Sequence, residues 1–132
     1  MNKPRITIHW TDNAKDGLSK MPGPMSKGMA KKADSLLRCD DPRKVGKPLR
    51  GILHGFYSLR FNRYRALYSV KENLSPDGKS SFSIEIVFVL VGMREEGSRS
   101  DVYNEAEKNL DNLQRMMALW SVPYSDDDLP HR

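Results

Sequence analysis

Only two residues, Asn62 and Arg63, separate the segments GFYSLRF and YRALYSV. In the first, Tyr57, Leu59 and Phe61 alternate with Ser58 and Arg60, a period of two that reads as a strand. So short a connection allows no crossover, so the two segments must be antiparallel neighbours in one sheet. KENLSPDGKSS follows as an extended hairpin tip, with SPDG as its β-turn. A third strand, FSIEIVFVLVG over residues 82–92, completes an antiparallel meander. Its second half is apolar at consecutive positions, which predicts a central strand covered on both faces.

The flanking sequence supplies that cover. RITIHW (5–10) alternates Ile6, Ile8 and Trp10 with Thr7 and His9 and reads as the first strand. Thr11 or Asp12 can cap a short helix, which Pro22, Gly23 and Pro24 break. Met25, Met29, Ala33, Leu36 and Leu37 then form the stripe of a second helix that ends near Asp40 and Pro42. The Pro- and Gly-containing stretch DDPRKVGKPLRG reads as a loop, as does MREEGSRS. A last helix carries Val102, Ala106, Leu110, Leu113, Met117 and Trp120 on one stripe, its start capped by Ser98 with Asp101 or by Ser100. The order is β-α-α-β-β-β-α. It predicts an α+β fold with a small, mostly antiparallel four-stranded sheet, two N-terminal helices and a C-terminal helix. A chain of 132 residues suits one core. We expect a single domain over 1–122 and a polar tail over 123–132.

Several function classes find no support in the sequence. Cys39 is the only cysteine, so no internal disulfide can form, and a reducing cytoplasm is the expected compartment. The N-terminus lacks the apolar core of a signal peptide, and IVFVLV is far too short to span a bilayer. A soluble, cytoplasmic protein with no membrane partner is expected. His9, His54 and His131 are scattered, and no HExxH, CxxC or close acidic pair offers a metal site. No Walker loop, GxGxxG or GxSxG is present, so no cofactor is expected.

The basic residues remain. Net charge is +5, and from Arg43 to Arg65 there are seven Lys or Arg and no Asp or Glu. Such a run is either a solvated surface or a seat for an anion. The strand period favours the anion. Ser58 and Arg60 share a face, and Arg65 follows across the short turn, so two arginines crowd together at a cost in repulsion. Arg94 directly follows the central strand, and Tyr103 stands in the first turn of the last helix, one position off its apolar stripe.

GKPLRG, YSLRFNRYRALYSV, VGMRE and DVYNEA, in this order, resemble the RelE/ParE superfamily of bacterial toxins from type II toxin–antitoxin systems. The resemblance covers about residues 5–110. It implies the RelE-like fold and, for the RelE branch, a ribosome-dependent endoribonuclease that cuts mRNA. By that resemblance Arg60, Arg65, Arg94 and Tyr103 match the branch's functional positions, and Lys44, Lys47, Arg50 and Arg63 are expected RNA or phosphate contacts. Ser58 stands where the RelE pattern has a further Lys, and the loop REEGSRS is longer than usual. The implied reaction needs no metal: a ribose 2′-hydroxyl attacks the adjacent phosphate. Arg65 and Arg94 would stabilise the charge that develops. Arg60 would stabilise charge or position the phosphate, since a guanidinium is a poor base. A tyrosine accepts the 2′-hydroxyl proton only if cations lower its pKa from about 10, so Tyr103 is either base or stacking platform. The resemblance further implies an antitoxin, the ribosome and mRNA as partners. Two alternatives stay open: a ParE-like inhibitor of DNA gyrase, and a catalytically weakened RNA-binding homologue.

Overall fold

The structure is a computed structural model that describes residues 4–74, 76–77 and 81–121. Its frame is the hairpin of β3 (Tyr57–Phe61) and β4 (Tyr64–Leu74), paired from Tyr57↔Tyr68 to Phe61↔Tyr64. Asn62 turns the chain with φ 58, a left-handed conformation that Asn accepts more readily than most residues. β4 continues to Leu74, beyond the expected end at Val70. The SPDG turn falls partly outside the described residues. β5 (Ser81–Met93) pairs antiparallel with β4, and β1 (Arg5–Trp10) pairs parallel with β5 on its other side. β5 is therefore interior to the sheet, as its apolar run predicts.

The sheet has five strands, ordered β1-β5-β4-β3-β2, rather than the four expected. The extra strand, β2 (Lys47–Pro48), lies inside the stretch that reads as a loop and pairs Lys47↔Ser58 and Pro48↔Tyr57. Two residues are too few to show a period. At an edge, moreover, Pro48 needs no ladder donor.

Helices cover one face. Thr11 caps α1 (Asp12–Ser19) by accepting from the Ala14 N–H at 3.2 Å. Its hydroxyl donates to the Phe88 carbonyl at 3.0 Å, which ties the helix start to β5. Gly17 lets α1 lie directly on that strand, for a Cβ there would sit 2.1 Å from the Val91 carbonyl oxygen. α2 (Gly23–Asp34) opens on the Pro22–Pro24 stretch, with a proline in its first turn, where the missing N–H costs nothing. It ends earlier than the apolar stripe predicts and tightens into a 3-10 turn over Ser35–Arg38. That change of pitch keeps Leu36 buried and turns Leu37 out to 45% exposure. Met29, Ala33 and Leu36 pack with Leu59, Ala66, Tyr68, Ile84, Ile86 and Phe88.

The other face packs under α3 (Val102–Lys108) and α4 (Leu110–Ser121), where the sequence predicts one helix. Asn109 separates them: its backbone leaves the helical region and its side chain donates to the Glu105 carbonyl at 2.9 Å. Val102, Ala106 and Leu113 of the expected stripe bury against Leu67, Val87 and Val89. The side chains of Met117 and Trp120, and the tail from 123, lie outside the described residues. The start of α3 is capped by Asp101, not by Ser98 or Ser100.

A bulge in β5 shapes this face. Leu67 pairs with Leu90 but Tyr68 pairs with Phe88, so Val89 has no opposite residue. Val89 and Leu90 both join the core under α3 and α4, and Val91 faces α1 and α2. Gly92 then comes under α3, where a Cβ would approach Val102 to 3.1 Å. Among the described residues, no helix is long and apolar enough to cross a membrane.

Candidate functional site

Leu59 and Ala66 face α1 and α2, so Ser58, Arg60 and Arg65 face the side of α3. Arg60 stands directly opposite Arg65. Both guanidiniums reach for the hairpin turn. Arg65 donates to the carbonyls of Asn62 at 3.1 Å and Tyr64 at 3.0 Å, and Arg60 donates to that of Asn62 at 3.4 Å. The Lys32 ammonium donates to the Arg60 carbonyl. Among the described residues no carboxylate pairs with either arginine; Asp41 and Glu72 pair with Arg43, and Asp101 pairs with Arg94. Arg60 and Arg65 keep their charge uncompensated on an accessible surface.

Arg94 joins this face from the end of β5. Its backbone N–H donates to the Arg63 carbonyl at 2.7 Å, pinning the strand end to the hairpin turn. Its guanidinium lies 4.6 Å from the centre of the Tyr103 ring, a cation–π contact. The same guanidinium pairs with Asp101 at 2.7 Å and more loosely with the exposed Glu96 at 3.4 Å. Asp101 is 1% exposed, yet it stays ionised. Burial opposes its charge, but bonds from Arg94 and from the Glu95 and Tyr103 N–H groups outweigh that and hold its carboxyl below the usual carboxylate range. Arg94 is shifted up, chiefly by its bond to Asp101. The Tyr103 hydroxyl shares a 2.8 Å hydrogen bond with Ser58, which is 4% exposed.

Arg60, Arg65, Arg94 and Tyr103 thus share one face, although the loop REEGSRS separates the last two. Two bonds compact that loop: Ser98 N–H to the Glu95 carbonyl at 2.9 Å, and the Asn104 amide to the Ser98 carbonyl at 2.6 Å. Lys47 sits opposite Ser58 across β2 and β3, on the same side of the sheet, and is exposed. Arg63 is exposed in the turn, and Arg50 is exposed beside Leu49, which packs on the α3 core. Lys44 is placed differently. It ends the 3-10 turn Pro42–Lys44, whose Pro42 carbonyl accepts from the Tyr68 hydroxyl at 2.6 Å, and Tyr68 belongs to the opposite core. Arg43 also leaves the group, pairing with Asp41 at 3.0 Å and Glu72 at 3.2 Å. The acid-free run from Arg43 to Arg65 is compensated at its start by acids from outside it.

Sequence reasoning missed the roles of Asp101 and of the Ser58 hydroxyl. Asp101 had a signal, an N-cap residue just before VYNEA; its ion pair with Arg94 could be known only from the folded loop. Among the described residues, no three His, Cys, Asp or Glu side chains are grouped to hold a metal. The arrangement offers cationic donors for an anion on the side of the sheet that carries a half-buried aromatic ring, and a hydroxyl pair at that ring.

No protein-family model matches the sequence, and no curated protein aligns with it significantly. Solved structures do match. A chain of the RelBE2 toxin–antitoxin complex from Mycobacterium tuberculosis is 30% identical, with a TM-score of 0.50; the match covers 67% of this chain and 96% of that one. A double arginine-to-alanine mutant of the E. coli toxin RelE in the free state is 19% identical, with a TM-score of 0.51, over 78% and 95% of the two chains. The second shows a common fold. Together with the identity and coverage of the first, it establishes that this chain belongs to the RelE superfamily of toxins from toxin–antitoxin systems.

Proposed function

We propose that the protein is a ribosome-dependent endoribonuclease that cleaves mRNA in the cytoplasm and is restrained by a cognate antitoxin. The observation that carries this reading is the placement of Arg60, Arg65, Arg94 and Tyr103 on one side of the sheet. The M. tuberculosis relative is part of a toxin–antitoxin complex, which supports the antitoxin partner. In the reaction, the ribose 2′-oxygen attacks phosphorus as the bond to the 5′-oxygen breaks. A 2′,3′-cyclic phosphate and a 5′-hydroxyl result, and the 2′-hydroxyl proton is balanced by one delivered to the leaving oxygen. The phosphorane carries more negative charge than the diester, so fixed guanidiniums favour it over the ground state.

Arg65 suits this role because the carbonyls of Asn62 and Tyr64 hold one of its guanidinium nitrogens in place and its charge is unpaired among the described residues. Arg60 beside it, and Lys47 opposite Ser58, would track neighbouring phosphates. Arg63 and Arg50 extend the same basic rim. Arg94 is largely neutralised by Asp101, so its contribution is directional: it holds the Tyr103 ring and offers its remaining N–H donors outward. Tyr103 then meets the RNA either as proton acceptor, with Ser58 at its hydroxyl, or as a platform for a base.

The pairing of Arg94 with Asp101 also favours a second reading, RNA binding without cleavage, in which Arg60 and Arg65 alone hold the backbone. Mapping mRNA 5′ ends after brief expression separates the readings. Cleavage predicts new ends within translated frames in wild type and their loss in Arg65→Ala and Arg94→Ala, with both variants folded. New ends that persist in both variants refute these assignments. Salt-sensitive RNA binding with no new ends supports the second reading. Inhibited supercoiling with intact mRNA would instead mark a gyrase inhibitor.

A further inference from the structure

The loop between β5 and α3 is organised around one side chain. Asp101 accepts the Glu95 N–H at 2.6 Å and the Arg94 guanidinium at 2.7 Å on one oxygen, and the Tyr103 N–H at 3.0 Å on the other. It is 1% exposed. As a helix cap alone, an aspartate offers nothing that asparagine lacks, because the two rank equally at that position. Burying a carboxylate is costly unless it is paired. What aspartate adds over asparagine is the ionic grip on Arg94, and Arg94 is the group that covers the Tyr103 ring.

From this geometry we infer that Asp101 is a positioning residue: its carboxylate sets Arg94 against Tyr103 and so fixes where Tyr103 presents its hydroxyl to the RNA. Tyr103 is held from three directions. Asp101 takes its N–H, Arg94 covers its ring, and Ser58 meets its hydroxyl at 2.8 Å. Removing the charge on Asp101 releases Arg94 while leaving a helix-capping oxygen. The effect on cleavage rests on the nuclease reading; the effect on the Tyr103 ring does not.

The test is Asp101→Asn, alone and combined with Arg94→Ala, read in two ways. Single-turnover cleavage of ribosome-bound mRNA should fall ten-fold or more in Asp101→Asn, in the rate at saturation rather than in the concentration needed to reach it. The double variant should cleave no more slowly than Arg94→Ala alone, because Asp101 acts through Arg94. With ¹³C-labelled tyrosine, the Tyr103 ring signals should move in Asp101→Asn toward their positions in Arg94→Ala. If Asp101→Asn does not fold, Asp101→Ser, another capping residue, replaces it in both readings. Unchanged cleavage, or losses that multiply in the double variant, would overturn the inference. So would unmoved Tyr103 signals. If wild type does not cleave at all, the nuclease reading fails, and the tyrosine signals alone decide the role of Asp101.

Discussion

Replacing Arg60 by glutamine should make the protein more stable and less active. Arg60 and Arg65 stand opposite each other and donate to the same Asn62 carbonyl oxygen at 3.4 and 3.1 Å, so the two donor nitrogens are at most the sum of those distances apart, 6.5 Å. Two unit charges at that separation in water repel by about 0.6 kcal/mol. Screening at roughly physiological salt, where the Debye length is about 8 Å, lowers this to about 0.3 kcal/mol; at about 0.01 M salt some 0.5 kcal/mol remains. Arg60 is exposed and its one hydrogen bond is long, so water replaces what the guanidinium gave up. Arg60→Gln should raise the melting temperature by about 1–2 °C, and by more at low salt than at high. Added phosphate should close the gap, since it binds and stabilises wild type preferentially. The assay is thermal unfolding across a salt series, with mRNA cleavage measured in parallel. A variant that is less stable at every salt concentration, or that cleaves like wild type, would refute the view that these cations are kept for an anion.

Other consequences are equally direct. Gly17→Ala should destabilise by about 1–3 kcal/mol in denaturant titration, because the new methyl would meet the Val91 carbonyl and force α1 off β5. Tyr68→Phe should cost about 1–3 kcal/mol by the same assay, since it strips the Pro42 carbonyl and the Gly46 N–H of their shared partner. Burial pushes the Tyr68 hydroxyl up to about 12, above its usual value of about 10. Its contribution is therefore complete below pH ~10 and should be lost as pH rises towards 12, making alkaline unfolding less steep in Tyr68→Phe. Asp101 carries the opposite sign. Its folded carboxyl lies below the ordinary value of about 3.9, so its contribution is present above that pH and lost as pH falls through the lower folded value. The stability gap between wild type and Asp101→Asn should be flat at neutral pH and shrink on acid titration.

Local patterns carried most of the frame. The two-residue turn, the alternation of Tyr57, Leu59 and Phe61, and the doubly apolar run in β5 identify the meander and its buried strand before any contact is known. They also place Arg60 against Arg65. What was illegible depends on contacts between distant segments or on local departures from regular helix that spacing does not announce. β2 exists because Lys47 and Pro48 meet β3, and two residues carry no period of their own. Leu37 fits the helical stripe by spacing, but the chain tightens into a 3-10 turn at Ser35, two residues before it. Asn109 looks like an ordinary helix residue until its side chain takes the Glu105 carbonyl. Arg43 reads as part of an acid-free run, and only the fold brings Glu72 to it.

The unpaired Val89 in β5 has a consequence for inheritance as well as for packing. Along a strand, the side of the sheet that a residue reaches is decided by parity, odd or even, counted from a fixed point. Val89 takes no place in that count, so Gly92 falls beneath α3 and the chain leaves the sheet with Arg94 on the same side. Deleting a single residue between Phe88 and Gly92 would spare every residue that makes up the basic face. Deleting Val89 itself would also keep that parity, because Leu90 would then follow Phe88 directly and still pair with Leu67. β5 therefore carries a spare residue at the bulge, so a one-codon loss of Val89 is absorbed by the ladder and leaves Arg94 on the side of Tyr103.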